Sequence, residues 1–484
     1  MYVEKKSLLK NSSFFVAYKL FNALFPLITS AYIARVLLPE GVGRIAIAQN
    51  AVTYFTYVAA LGMPTYGMRE IARSRDTERK NTVFSELFIV NLVSSIVCSI
   101  GYCFFVMFVL NATVDKTIYM IFGTLVLFNI INVDWVYQGL EEYQYISVRS
   151  FLIKLISFGL TLGFVKDRSD INIYAIILCF ATVGNYIFNV IHLVRKRYVS
   201  LNFRKINIKQ HLRPLFVLFA SSIAIELYTL VDTTMLGVFC SEQIVGYYTN
   251  SMKIVKTIII CFTAISTVAA PKISNYYGKG DLGGIKNLVN KMLFILLMIT
   301  LPAAIGLFAI SSLLIPLFFG STFIPAIVTM KILSVLLIPI TLSTFLGSHI
   351  LCVINQEKKM LMATVCGAIT NIVLNVILIR LYQQNGAAIA SVISEVVVAI
   401  IDFYCVFKII KIDVKPADVI SLLFSTAVMG GCLLIIMQMT SLIGIIKLVV
   451  SVIIGIVVYT MMLVVTKNSF ALTIIRNSVR KVKN

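Results

Sequence analysis

Hydrophobic runs of about 20 residues or more, separated by short polar breaks, follow one another from Phe14 to Val465. Their positions predict helices near residues 12–37, 43–67, 82–110, 117–138, 146–166, 172–194, 212–238, 244–271, 285–312, 323–353, 360–381, 386–409, 417–438 and 443–466. Backbone N–H and C=O groups find no water in hydrocarbon, so a spanning run must pair them internally, as an α-helix does. A β-barrel would show segments of about 10 residues alternating in polarity; the sequence has none. The breaks carry turn residues: Pro39-Glu40-Gly41 after the first run, Asn111 to Lys116 after the third, Lys166 to Asp170 after the fifth, and Gly278 to Gly284 before the ninth. Pro302, Pro316, Pro325 and Pro339 are expected to kink or redraw helices nine and ten, and twelve helices is the alternative count. The fold class is therefore an all-α polytopic membrane protein of about fourteen transmembrane helices.

Composition removes the soluble alternatives. With 59% hydrophobic residues, 13% charged and a mean hydropathy of +0.94, no stretch is left for a catalytic domain outside the membrane. The net charge of +21 is a topology signal, because every second connector is basic. Lys5, Lys6 and Lys10 open the series. Arg69, Arg73, Arg75, Arg79 and Lys80 follow, then Arg195, Lys196, Arg197, Arg204, Lys205, Lys209 and Arg213, and later Lys358, Lys359, Lys408, Lys411, Lys415, Arg476, Arg480, Lys481 and Lys483. About 30 of the 42 basic residues fall on one face and about 7 on the other, which places both termini in the cytosol and requires an even helix number. Charges spread over loops of one face fit contact with anionic lipid headgroups, not with nucleic acid. The first helix has no cleavage site behind it and is expected to remain.

Reactive motifs are missing. No G-x-x-x-x-G-K-[ST] loop, nucleophile elbow or zinc-protease helix is present, so neither catalytic residues nor a cofactor are expected. Nine cysteines stand singly, without C-x-x-C, and His192, His211 and His349 are far apart, so no metal site is expected. Trp135, the one tryptophan, reads as an interface anchor.

The chain repeats itself weakly. Glu40-Gly41-Val42-Gly43 opens helix two, and Glu242-Gln243-Ile244-Val245-Gly246 opens helix eight. Glu141-Glu142-Tyr143-Gln144 precedes helix five, and Asn355-Gln356-Glu357-Lys358 precedes helix eleven. Two six-helix lobes of one topology follow: residues 1–210 and 211–412, with residues 413–484 adding two further helices and a cytoplasmic tail.

The same stretches resemble a known family. Arg35-Val36-Leu37-Leu38-Pro39-Glu40-Gly41-Val42-Gly43, Tyr66-Gly67-Met68-Arg69-Glu70-Ile71-Ala72-Arg73 and Asp134-Trp135-Val136-Tyr137-Gln138-Gly139-Leu140-Glu141 look like signatures of bacterial O-antigen and capsular polysaccharide flippases. Val231-Asp232-Thr233-Thr234-Met235-Leu236-Gly237, Val245-Gly246-Tyr247-Tyr248 and Gly386-Ala387-Ala388-Ile389-Ala390-Ser391 agree. The resemblance implies two lobes around a central cavity, as in lipid II flippases and multidrug and toxin extrusion transporters. It implies movement of undecaprenyl-diphosphate-linked oligosaccharide repeat units from the cytoplasmic to the periplasmic leaflet of the bacterial inner membrane by alternating access. A polysaccharide polymerase and a chain-length regulator are the candidate protein partners.

A diphosphate needs cations along its path. The candidates for substrate contact are Lys19, Arg35, Lys154, Lys253 and Lys256, the last two on one helix face, with Lys331 a further intramembrane cation. Carboxylates at depth are Glu86, Asp134, Glu226, Asp232, Glu395 and Asp402, and ion pairing between the two sets is the competing account. Glu226, Asp232, Glu395 and Asp402 are also candidates for coupling to a proton or sodium gradient, with the membrane potential as the other driving force. Alternative functions are a multidrug extrusion antiporter of the same fold and an inner-membrane polysaccharide polymerase or ligase. The antiporter would want an acidic, aromatic cavity; the polymerase would want a large outward loop, where connectors of about 5 to 12 residues stand instead.

Overall fold

The computed structural model describes residues 8–74, 77–111, 114–202, 206–267, 269–413, 415–439, 444–470 and 472, with side chains left out at 8–24, 77, 221, 224, 225 and 227. It divides into two units, Met1–Gly246 and Tyr247–Asn484. In the first unit the helices are α1 (Leu8–Ala60), α2 (Met63–Arg73), α3 (Thr77–Phe104), α4 (Lys116–Phe128), α5 (Asp134–Gly139), α6 (Tyr143–Phe164), α7 (Ile171–Lys196) and α8 (Lys209–Phe239). Helix α9 (Glu242–Thr267) crosses the boundary between them. The second unit continues with α10 (Ala269–Gly278), α11 (Leu282–Phe319), α12 (Ala326–Val335), α13 (Leu337–Ser343), α14 (Glu357–Phe407), α15 (Pro416–Gln438) and α16 (Gly444–Val465). No strand occurs among the described residues.

Two of these helices are each a pair of predicted spans joined at a break. Leu38 in α1 has φ 59° and ψ 176°; the extended ψ fits its place before Pro39, whose ring keeps the preceding residue out of the helical region. Gln383 in α14 has φ 51° and ψ −127° and separates helices eleven and twelve. Ten segments are long and apolar enough to cross a membrane among the described residues. Dividing two of them at these breaks, and adding α8 and the shorter α4, gives the predicted order of fourteen.

Prolines act differently along helices nine and ten. α11 runs unbroken through Pro302 and Pro316 to Gly320, whose φ of 97° ends it. Helix ten is built in pieces: α12 after Pro325, α13 with Pro339 inside it, then a π-helical turn over Thr344–Leu351. The predicted fourth helix also stops early, at Phe128, and Asp134–Gly139 forms a separate short helix. Arg69 and Arg73 sit not in a loop but on α2, an amphipathic helix that begins behind Gly62 and ends where Ser74 bonds back to the Glu70 carbonyl.

Side chains follow the inside-out pattern of a membrane protein. Phe108 is 71% exposed and Val238 73%, while Ser95, Asn189, Ser266, Thr300 and Asn375 are fully buried. Small polar residues let helices approach closely, and of these Ser95 bonds across to Asn129 and Asn189 to Asp134 and Arg149. One apolar core in the first unit gathers Met63, Ile71, Phe84, Trp135, Tyr137 and Leu193 at the end bearing basic connectors. Trp135 belongs to that core, 3% exposed against Phe84, and is not an interface anchor. A Cβ on Gly67 would fall 2.6 Å from its ring, so α2 and α5 close over the indole.

Candidate functional site

The predicted cations are distributed over both units. Arg35, on the first half of α1, is exposed, and Lys154, on α6, is half-buried. Lys19 lies on α1, outside the described side chains. Lys253 and Lys256 stand on α9 within the second unit, the first half-buried and the second exposed. Of the carboxylates, Glu226 and Asp232 lie on α8, half-buried and buried respectively; Glu395 and Asp402 are both buried on the second half of α14.

The structure does bring Glu395 and Asp402 together with helix ten. They are seven residues apart, hence on one face of α14. Ser343 Oγ donates to Glu395 Oε2 at 3.1 Å. Asp402 Oδ2 lies 2.9 Å from where a Cβ on Gly347 would stand, so a side chain at that point of the π-helical turn would displace the carboxylate. Asp402 Oδ1 is buried with no hydrogen-bond partner among the described residues. A carboxylate with an open, buried oxygen has the composition of a proton or small-cation acceptor.

Two of the other carboxylates at depth, Asp134 and Glu86, have side-chain partners within the first unit. Asp134 pairs with Arg149 at 3.4 Å, and Asn189 bonds to both. Tyr145 lies under the guanidinium, 5.8 Å from ring centre to Cζ, and stacks on His192 at 3.8 Å. Sequence reasoning named Asp134 but missed Arg149, which sits one turn inside a predicted helix and reads there as an ordinary end charge. Glu86 meets His211 Nε2 at 2.7 Å, and the other ring nitrogen meets Tyr66 Oη at 2.8 Å. Along the same helix face, Asn81, Ser85 and Glu86 accept hydrogen bonds from the backbone N–H groups of Ser200, Asn202 and Asn207. The basic connector between α7 and α8 is therefore held along α3.

The weak sequence repeat becomes a contact inside the first unit. A Cβ on Gly43 would stand 1.7 Å from the Glu242 carbonyl oxygen, and one on Gly246 would stand 2.0 Å from that of Pro39. The two Glu-and-Gly turns thus touch reciprocally, backbone to backbone. Arg44 fastens them, its Nε donating to Glu242 Oε2 at 2.9 Å and its Nη2 to Glu40 Oε1 at 3.2 Å.

Two grooves are cut into the second unit. One, of about 450 Å³, lies between α9, α11, α15 and α16 and is almost wholly apolar, with Phe262, Ile299, Pro302, Leu433, Val452 and Ile456 among its walls. The other, of about 420 Å³, is formed by α11, α12 and α14 and contains Lys331.

The comparisons with known proteins agree with this architecture. A sequence profile of the family described as "Polysaccharide biosynthesis protein" matches residues 8–277, and one of MatE matches residues 218–377. The "Putative O-antigen transporter" of Escherichia coli (strain K12) is 24% identical over 82% of this chain and 96% of its own length. The "Probable low-salt glycan biosynthesis flippase Agl15" of Haloferax volcanii is 24% identical over 50% of this chain and 51% of its own. Among solved structures, lipid II flippase MurJ in an inward closed conformation superposes with a TM-score of 0.71 at 16% identity, covering 92% of this chain and 97% of MurJ. An inward-facing multidrug resistance transporter of the MATE family gives a TM-score of 0.60 at 15% identity, covering 79% of this chain and 93% of the transporter. These two likenesses concern the fold. With more than half of its length matched by the profile, the chain belongs to the polysaccharide biosynthesis protein family of multi-pass membrane proteins.

Proposed function

We propose that this chain is a flippase, not an enzyme, that carries undecaprenyl-diphosphate-linked oligosaccharide repeat units from the cytoplasmic to the periplasmic leaflet of the bacterial inner membrane. The relatives named as O-antigen transporter and glycan flippase support the substrate class. The observation that carries the reading is the apolar groove built by α15 and α16 with α9 and α11. A lipid-linked substrate has a long tail that must stay in an apolar environment while its head crosses, whereas a lipophilic drug cation has no such tail. The MurJ likeness covers more of the chain than residues 1–412 alone supply, so it reaches this helix pair. The 79% covered by the multidrug transporter needs none of it.

A sugar head carries many hydroxyls, each costing several kcal/mol to bury without a partner, so unassisted crossing is prohibitive. In this reading Lys19, Arg35, Lys154, Lys253 and Lys256 meet the diphosphate in succession as access alternates between the two faces. The basic connectors, and with them both termini, face the cytosol. An inside-negative potential favours outward movement of an anion by about 2.3 kcal/mol per charge per 100 mV. Glu226, Asp232, and above all the Glu395 and Asp402 pair, are the proposed sites where a returning proton or sodium ion binds. A polysaccharide polymerase and a chain-length regulator are the proposed partners on the outer side.

Deleting the chain tests the proposal. Lipid-linked repeat units should accumulate in the inner leaflet and surface polysaccharide should disappear; Lys154→Ala, Lys253→Ala or Lys256→Ala should reproduce the block in part. Normal surface polysaccharide in the deletion strain overturns it.

A further inference from the structure

We infer that Lys331 and the groove around it form an outer-leaflet exit site, where the diphosphate of the lipid-linked substrate is held after crossing. The inference rests on the flippase reading above and adds a residue and a place to it.

The groove is walled by Phe308 of α11, Val328, Ile332 and Val335 of α12, and Ile389 and Val392 of α14. Lys331 is the one charged residue in its lining, and its ammonium stands 5.5 Å from the centre of the Phe308 ring. No ion pair involves Lys331 among the described residues. An aromatic face offsets only part of the cost of a cation in hydrocarbon, so the groove as built is short of one anion.

Depth decides which anion. Phe308 lies eleven residues before the end of α11 at Phe319, about 16 Å along the axis. Lys331 is five residues into α12, about 8 Å. Ile389 and Val392 follow the break at Gln383 by six and nine residues, about 9 to 14 Å. Three helices therefore place the groove about 8 to 16 Å from the helix ends and the break on the side opposite the basic connectors, just inside the Thr329–Asn385 hydrogen bond. Because the ammonium reaches toward Phe308, the deepest of these residues, it does not snorkel outward. Resting phospholipids keep their phosphates at the surface, and only a lipid in transit brings a phosphate to this depth. The apolar walls accept the first prenyl units and Lys331 accepts a phosphate oxygen, a charge-assisted contact.

The test uses the full chain in phosphatidylcholine nanodiscs with three probes: undecaprenyl diphosphate, undecaprenol and phosphatidylglycerol. Lys331→Met should weaken undecaprenyl diphosphate binding about tenfold or more and leave undecaprenol unchanged, while Lys331→Arg restores binding to within about threefold. Lys331→Gln serves as a second charge-removing variant and should follow the Met variant. Equal affinity of wild type and Lys331→Met for the diphosphate overturns the inference and leaves the flippase reading standing. An equal loss of phosphatidylglycerol binding also overturns it, since the groove then seats ordinary anionic lipid. A wild type that does not distinguish undecaprenyl diphosphate from undecaprenol overturns both.

Discussion

At the scale of single residues, the account turns on charges in a medium that penalises them. Arg149 is 6% exposed in its side chain and Asp134 31%, and Asn189 bonds to both, while Arg149 Nε is buried without a hydrogen-bond partner among the described residues. Asp134→Ala strands the guanidinium and should destabilise the protein by about 2–3 kcal/mol, toward the low end for a buried pair because Asp134 is partly exposed. Unfolding in detergent measures this, and the double variant Asp134→Ala/Arg149→Met should recover part of the loss. A double variant no more stable than the single one would contradict the pairing. Near Asp134, burial with Glu142 alongside pushes the Tyr198 phenol up, so it stays protonated as the donor to Glu142. Composition reveals how many such charges a chain holds, but pairing depends on which helices meet. Asp134 and Arg149 are close in sequence and separated by a turn that redirects the chain, so their partnership was hidden. Glu86 and His211, 125 residues apart, gave no local signal at all.

Elements were legible where their cause is local. The break at Leu38 follows from Pro39, and the fourteen runs follow from unbroken hydrophobicity. What escaped detection depends on packing: α2 reads as a loop until its apolar face meets Trp135, and the π-helical turn after Ser343 has no sequence mark beyond Gly347 beside Asp402. The repeat Glu-and-Gly turns were visible as a pattern, and the structure adds that they touch. Gly43→Ala and Gly246→Ala put a methyl within about 2 Å of a backbone carbonyl that cannot swing aside. Each should reduce surface polysaccharide more than tenfold in a complementation assay, whereas Gly237→Ala, which meets only the Ile47 side chain at 3.2 Å, should be tolerated. Full activity in Gly246→Ala would show the contact to be dispensable. The grip of α3 on the following connector gives a second expectation: Glu86→Ala should speed amide exchange at Asn207 about tenfold or more, with amides in α7 unchanged.

For the whole molecule, orientation and direction of transport are linked. The asymmetry of Lys and Arg predicts that a fluorescent protein fused after Asn484 folds and glows in the cytosol and that an alkaline phosphatase fused there stays inactive. The reverse pattern would invert the proposed direction of flipping. The fold class and family were readable because length, apolarity and short signature segments are properties of the chain itself. The grooves were not, because each is walled by helices distant in sequence, as Ile258 and Tyr459 share one wall system. The central claim is that the chain moves a lipid whose tail stays in apolar surroundings while its diphosphate-linked sugar crosses. Reconstitution of the purified chain in liposomes with a fluorescent undecaprenyl-diphosphate-linked oligosaccharide tests it most directly. The account predicts that, with the protein present, label added to one leaflet becomes accessible to a membrane-impermeant quencher on the other, and that a lipophilic drug cation is not moved. Label that stays on its original leaflet, with the drug cation exported instead, would contradict it.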